Sequence, residues 1–366
     1  MSNAIFTLFN NHNYGAVLQA YALRTVTEEL TQQPTVLVNY IRDPNTNLMH
    51  IGPIYHGVHG RLSVNSASLK KLKSHFTNFQ GSVVRILRCR SFIRRHLAVT
   101  KPFYTGDPIC LPGTDYYFLG SDQIWNLRLM KGFHDAYFGI TADKPKKVIA
   151  YAPSMGNHLR LTDEEAAEMK RRLQNVDVLS SRESDAAALL SELTGRDVAC
   201  VIDPTLLLTA EQWDAVASRT VRLPAHYVLV YSLDCNEELL NAARRKAEEL
   251  GCSVLLLSSP TRIVKGVDQR RGYGPAEFLA AVRSADHIFT NSFHGTVFSI
   301  NYHRPFTVKA DGDHGIRMRS ICSQLHLESR YLETGDFSSE LDFSEADRRL
   351  QTLRDAAMRY LQDALQ

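Results

Sequence analysis

A histidine just past a strand end is the most chemically suggestive group in this chain. In Asn291-Ser-Phe-His-Gly-Thr296 a short β-prone run, His287 to Thr290, gives way to helical spacing through Val297, Phe298 and Ile300. A helix start leaves backbone N–H groups without intrahelical partners. The helix dipole adds partial positive charge there, so the junction can seat an anion. Ser292, Phe293, Gly295 and Thr296 surround that seat. Gly295 would let a backbone approach a ligand, and His294 could donate a hydrogen bond or a proton. The same residues also fit an ordinary junction, with Ser292 as N-cap and His294 satisfied in the core. Locally, both readings stay open.

Other candidates stand at the same kind of place. A first strand, Ile5 to Phe9, leads through Asn13, Tyr14 and Gly15 into a helix, without the GxGxxG spacing of a dinucleotide site. Tyr116 to Leu119 ends in Gly120, Ser121 and Asp122, and Lys147 to Tyr151 ends in Ala152, Pro153 and Ser154. Val176 to Leu179 delivers Arg182, whose planar guanidinium suits a phosphate or carboxylate but could equally pair with Glu183 or Asp185. Ala199 to Ile202 delivers Asp203, read as a turn cap before Pro204. Strands ending repeatedly in small polar residues are how an open α/β sheet builds a site along one edge.

The elements that must position these residues fall into two sets. At 366 residues, 44% of them hydrophobic, the chain exceeds one comfortable core. The pattern predicts an α/β fold of two doubly wound, Rossmann-like domains facing across a cleft. The first spans residues 1–218, read from Ile5 onward with no weight on Ser2-Asn3-Ala4. A link at 219–225 follows, then a second domain over 226–330 and a helical tail over 331–366. The second domain should run as strand Tyr227 to Leu233, helix Glu237 to Leu250, strand Ser253 to Ser258 and helix Pro275 to Ser284. The strand before His294, a late strand at Phe306 to Lys309 and helices over 318–326 and 344–364 complete it.

Residues 44–106 read as a basic insertion without a single acidic residue until Gly106, carrying Arg61, Lys70, Lys71, Lys73, Arg85, Arg88, Arg94 and Arg95. Over 83–101 its apolar residues recur at helical spacing. The expectation is an amphipathic helix packed on the first domain, with Arg88, Arg94 and Arg95 outward. A solvated face and a weak, salt-dependent contact with anionic lipid or a polyanion both fit. A net charge of +3 and the lack of a binding motif argue against nucleic acid. Six scattered cysteines form no CxxC pair, and no apolar run approaches the ~18 residues of a membrane span. The composition points to a soluble, cytoplasmic protein without a structural metal.

Several motifs together resemble the polysaccharide pyruvyl transferase family. They are Asn13-Tyr-Gly-Ala-Val-Leu-Gln-Ala-Tyr-Ala-Leu23, Gly120-Ser-Asp-Gln-Ile-Trp-Asn126, Tyr151-Ala-Pro-Ser-Met-Gly156, Ser181-Arg-Glu183, Asp203-Pro-Thr-Leu-Leu207 and Asn291-Ser-Phe-His-Gly-Thr296, in that order. Arg317-Met-x-x-Ile321, running on to Leu325 and Leu327, is similar to the family's closing pattern, with His326 where a glycine is usual. The resemblance implies a fold like the two-domain GT-B glycosyltransferases. It also implies transfer of pyruvate from phosphoenolpyruvate to sugar hydroxyls as a ketal, with phosphoenolpyruvate as donor substrate and no further cofactor. On that basis His294 is the expected general acid and hydrogen-bond donor to the phosphate, and Asp122 the base. Arg182 and the residues around His294 hold the anion, and Arg317 joins the substrate-binding set. Asn13, Tyr14, Gly15, Ser121 and Ser154 line the acceptor side. The acceptor is a sugar of a polysaccharide or its precursor, on a lipid carrier or not, with the protein in the cytoplasm or peripheral to the inner membrane face. A sugar-nucleotide glycosyltransferase and a non-catalytic glycan- or anion-binding homologue are the alternatives. Acceptor identity and oligomeric state stay open.

Overall fold

A computed structural model describes residues 2–10, 13–42, 54–56, 62–64, 79–258, 264–335, 337 and 341–366. Arg61, Lys70, Lys71 and Lys73 lie outside the described residues. The chain forms two compact α/β units. The first comprises Met1–Leu48, Ile93–Leu207 and Gln351–Gln366, and the second comprises Leu208–Leu350 with the described part of Met49–Phe92. This differs from the expected division in two ways. The described basic helix, Phe79–His96, contributes its residues up to Phe92 to the second unit, and the end of the C-terminal helix belongs to the first.

In the first unit, β1 (Ser2–Phe6), β2 (Thr35–Leu37), β7 (Thr114–Leu119) and β8 (Lys147–Ala150) form a parallel sheet in the order β2-β1-β7-β8. A short parallel pair, β3 (Tyr40–Ile41) with β6 (Phe103–Tyr104), lies apart from it. β4 (Ile54–His56) pairs antiparallel with β5 (Leu62–Val64), and this pair falls in the second unit. β9 (Leu179–Ser181) pairs with β10 (Val198–Cys200), and a bridge from Ile149 to Val178 ties them to β8. Ser2-Asn3-Ala4, given no weight above, opens β1: Asn3 is fully buried and its amide donates to Thr31 and Thr35 at 2.8 and 3.2 Å. The C-terminal helix Ser344–Leu365 closes the unit. The Tyr360 hydroxyl donates to the Ala150 carbonyl at 2.6 Å, the Tyr116 hydroxyl to Leu365 at 3.2 Å and Lys147 to Ala364 at 3.2 Å.

The main sheet of the second unit is parallel and consists of β11 (Tyr227–Ser232), β12 (Ser253–Ser258), β13 (Asp268–Gln269), β14 (His287–Thr290) and β15 (Phe306–Val308), ordered β13-β12-β11-β14-β15. Every residue of β11 and β14 is buried, as helices covering both faces of a parallel sheet require. In both sheets the strand order reverses beside the first strand, between β1 and β7 and between β11 and β14. Open α/β sheets bind ligands at the carboxyl ends of strands flanking such a reversal.

The basic helix departs from its expected facing. Ile86, Cys89 and Phe92 are buried and Arg94 and Arg95 are exposed, but Arg88 turns into the second unit. Its Nη1 donates to the Gly272 carbonyl at 3.0 Å and its Nε pairs with Glu277 at 3.3 Å. A carboxylate and a carbonyl within reach outweigh the solvation of a long flexible cation.

His287, midway into this core, is fully buried, with Nε2 3.0 Å from the Thr307 hydroxyl. Burial, with the charges of Lys246 and Arg330, lowers its pKa from 6.5 to about 3. The unfolded chain therefore binds the proton near pH 6.5, whereas the folded chain does not until about pH 3. Between those values stability is lost as pH falls, at a slope approaching 1.4 kcal/mol per pH unit. Denaturant titrations of wild type and His287→Gln should diverge in slope across that window. Parallel pH profiles would contradict this assignment.

Candidate functional site

The reversal in the second sheet is occupied by the stretch around His294. β14 ends at Thr290, whose hydroxyl donates to the Tyr231 carbonyl at 2.7 Å and accepts from the Ser292 amide at 3.0 Å. Asn291 locks the two strand ends together. Its side-chain oxygen accepts from the Leu233 amide at 3.0 Å, and its amide donates to Asp234 at 2.7 Å. Helix Phe293–Asn301 then begins, with Ser292 at the N-cap position. The Ser292 side chain makes no cap bond, contrary to the ordinary-junction reading. Its hydroxyl instead hydrogen-bonds the Tyr231 phenol.

His294 is 7% exposed, edge-on to the Phe293 ring at 5.3 Å between centroids. The buried Arg317, on helix Gly312–Gln324, lies over that same Phe293 ring at 5.8 Å. Arg85 from the basic helix is also buried. Burial raises the Tyr231 phenol, while the Arg85 charge and the Ser292 hydrogen bond pull it down. The helix start thus has His294 and Arg317 beside it and the Arg85 charge acting on the Tyr231 phenol that Ser292 bonds, a poorly hydrated surround suited to a small anion. Arg85 was missed as a site residue because the sequence shows it only as one cation in a basic run.

Two of these residues also serve the local fold. At Gly295 a Cβ would overlap the Thr290 hydroxyl and stand 3.0 Å from Tyr231 Cδ1, so glycine lets the helix seat against its own sheet. The Thr296 hydroxyl faces back to the Ser292 carbonyl at 3.2 Å, serving the helix start. The His326 departure is explained by its backbone, which has φ 57°, where glycine is preferred.

In the first unit the candidate residues converge on a buried polar network at the strand ends. Arg182, 5% exposed, pairs through Nη1 with Asp203 and through Nε with Glu183 at 3.3 Å. Asp185, offered as an alternative partner, has no such contact with it, whereas Asp203 does cap the following turn through the Thr205 amide at 3.0 Å. The Ser121 hydroxyl donates to the Ala152 carbonyl at 2.9 Å and reaches Asp203 at 3.2 Å. The Ser154 hydroxyl donates to Glu183 at 2.7 Å. Gln19 braces the loop: its amide donates to Thr7 at 2.9 Å and its oxygen accepts from the Ser121 amide at 3.2 Å.

This network changes the reading of several acceptor-side residues. Two carboxylates pair with the Arg182 guanidinium, so it helps to fix the strand ends. Ser121 and Ser154 are fully buried within it. Asn13 caps helix Tyr14–Thr31, accepting from the Gly15 and Ala16 amides at 2.9 and 3.4 Å, and Tyr14 is 2% exposed within the core. Asp122 sits at φ 65° with Oδ1 accepting the Gln123 amide at 2.9 Å, and its backbone carbonyl accepts from Ser154 at 2.9 Å. Aspartate tolerates that left-handed conformation better than most residues. Gly120, at φ 115°, must be glycine, because a Cβ would meet the Tyr151 carbonyl. Among the described residues no group of His, Cys, Asp or Glu could hold a metal ion. No helix among them is long and apolar enough to cross a membrane.

Comparison with known proteins adds to this geometry. A putative UDP-N-acetylglucosamine 2-epimerase from Listeria monocytogenes is 12% identical, with 96% of this chain and 95% of that one covered at a TM-score of 0.47. The UDP-GlcNAc 2-epimerase of Methanocaldococcus jannaschii is also 12% identical, covering 97% and 92% at 0.47. The Streptomyces sp. SF2575 glycosyltransferase SsfS6 is 13% identical, covering 99% of each chain at 0.44. Likenesses this distant decide nothing about activity. Comparison with curated proteins gives no match. The sequence profile of the polysaccharide pyruvyl transferases matches residues 13–312, a span containing both strand-end sites. By that match the chain belongs to the polysaccharide pyruvyl transferase family, a family of transferases.

Proposed function

We propose that this protein moves the pyruvyl group of phosphoenolpyruvate onto sugar hydroxyls of a polysaccharide or its precursor, forming a pyruvate ketal. The observation that carries the reading is the His294, Arg317 and Phe293 cluster at a helix start on the strand-order reversal of the second sheet. Phosphoenolpyruvate brings a phosphate and a carboxylate, and buried guanidinium groups with oriented helix N–H groups suit both. In the reaction the methylene carbon gains a proton, one sugar hydroxyl adds to the central carbon and phosphate departs. A second hydroxyl then closes the ketal. His294 is the proposed acid at the departing phosphate, and Asp122 the proposed base for the attacking hydroxyl. Arg182 supports the loop carrying Asp122 by anchoring Asp203 and, through it, Ser121.

The protein works in the cytoplasm under this reading. The exposed Arg94 and Arg95 supply at most a weak, salt-screened attraction to anionic lipid. Phosphoenolpyruvate at a hundred times its dissociation constant should stabilise the protein by about 2.7 kcal/mol, read as a raised melting temperature. Phosphate release should then appear with one of a panel of β-galactosyl, mannosyl or hexosamine acceptors. A shift produced by a sugar nucleotide and not by phosphoenolpyruvate would replace this reading with glycosyl transfer.

A further inference from the structure

The first unit also carries an open cavity of about 560 Å³, lined by none of the candidate residues above. Its walls include Tyr40 in β3, Thr105 and Asp107 just beyond β6, and the run 133–135. We propose that this cavity is a docking subsite for a neutral sugar unit of the acceptor, held by Tyr40, Phe133, Asp107 and Asp135. It rests on the transferase reading only in taking the acceptor to be a saccharide.

Charge narrows the ligand first. Arg172 is the one guanidinium in the lining, and it is spent: it pairs with Asp135 and, at 2.6 Å, with Glu168. Its plane covers the Phe133 and Phe138 rings at 5.2 and 5.6 Å. His134 adds no charge, since burial and the nearby Arg42 and Arg172 lower its pKa while its bond to Met130 only partly opposes them. With Asp107 and Asp135 at the wall, the cavity disfavours phosphates and carboxylates, so it is not a second donor site.

Hydrogen-bond direction narrows it further. His134 Nε2 lies 3.0 Å from the Met130 carbonyl, which can only accept, so that nitrogen carries the proton. Nδ1 is then the acceptor, and it faces the Tyr40 hydroxyl at 3.2 Å. Thr105 is 3.3 Å from the same hydroxyl and gives its own proton to the Arg42 carbonyl. Tyr40 is thereby fixed as a donor inward and presents its oxygen as an acceptor. Burial keeps it neutral by raising its pKa. Oriented acceptors, two carboxylates and an aromatic wall match a polyol with an apolar C–H face. The volume is that of an ordinary small-molecule site.

The test is calorimetric titration of the full chain, without donor, by neutral oligosaccharides carrying β-galactosyl, mannosyl or N-acetylhexosaminyl units. At least one should bind. Tyr40→Phe and Asp107→Asn should each weaken it about tenfold, as loss of one oriented or charge-assisted hydrogen bond does. Phe133→Ala should weaken it further, with melting temperature checked in parallel; if that variant does not fold, Tyr40→Phe decides. In turnover these variants should raise KM for the oligosaccharide but leave kcat, and KM for the matching monosaccharide, unchanged. A purely structural role would move all of these together. Failure of every neutral oligosaccharide to bind, or binding untouched by the variants, overturns the subsite. Binding that remains sensitive to Tyr40→Phe without any phosphoenolpyruvate turnover overturns the transferase reading instead.

Discussion

Replacing His294 with alanine is expected to lower phosphate release by ~10²–10³ while leaving the melting temperature nearly unchanged, the loss typical of one preorganised transition-state donor. The helix bearing His294 does not depend on the imidazole. Val297, Phe298 and Ile300 are fully buried, and Phe298 packs edge-on against Trp213 at 5.0 Å and Phe278 at 5.6 Å. Arg317 lies over the Phe293 ring, a contact that the truncation leaves in place. Rate and stability must be measured on the same sample. A fall of about 1–3 kcal/mol in stability with unchanged rate per folded molecule would make His294 a core residue.

Asp203→Ala should do the reverse, destabilising the first unit by about 3–5 kcal/mol, because a buried guanidinium loses its main counter-ion. Burial disfavours the Arg182 charge, and Asp203 is the largest influence opposing that, ahead of Glu183. The same change frees the Thr205 amide and hydroxyl, bonded to Asp203 at 3.0 and 2.7 Å, and one contact of Ser121. Asp203→Asn, which keeps the shape but not the charge, should lose less. Urea denaturation reads both variants. A loss below about 1 kcal/mol for Asp203→Ala would mean that Glu183 alone suffices for Arg182. Together the two experiments separate a residue that acts on substrate from one that holds the strand ends.

Much of the architecture was legible because parallel strands buried on both faces are short continuous apolar runs. Helix Glu237–Leu250 and strands Ser253–Ser258 and His287–Thr290 fall where their patterns end. Boundaries slipped where one capping residue decides them. Asn13 places the first helix at Tyr14, and no sequence signal stopped the expected helix at 318–326 from beginning earlier, at Gly312. The candidate residues were legible as strand ends but not in their roles. Arg182 and its partner Asp203 are 21 positions apart, and only the packed sheet brings them together. The carbohydrate-sized cavity was invisible for a related reason. Tyr40, Asp107 and Phe133 come from three separate irregular or edge segments with no shared period, so pattern reading had nothing to join.

The return of the C-terminal helix to the first unit carries a consequence for the order in which the chain becomes structured during synthesis. Domains ordinarily fold as they emerge, the earlier one first. Here the second unit has all its residues once Leu350 is made, whereas the first still lacks Gln351–Gln366. Until then Ala150 has no Tyr360 hydroxyl, and Tyr116 and Lys147 lack their partners at the helix end. The packing of the first unit is therefore completed only by residues made after the whole of the second.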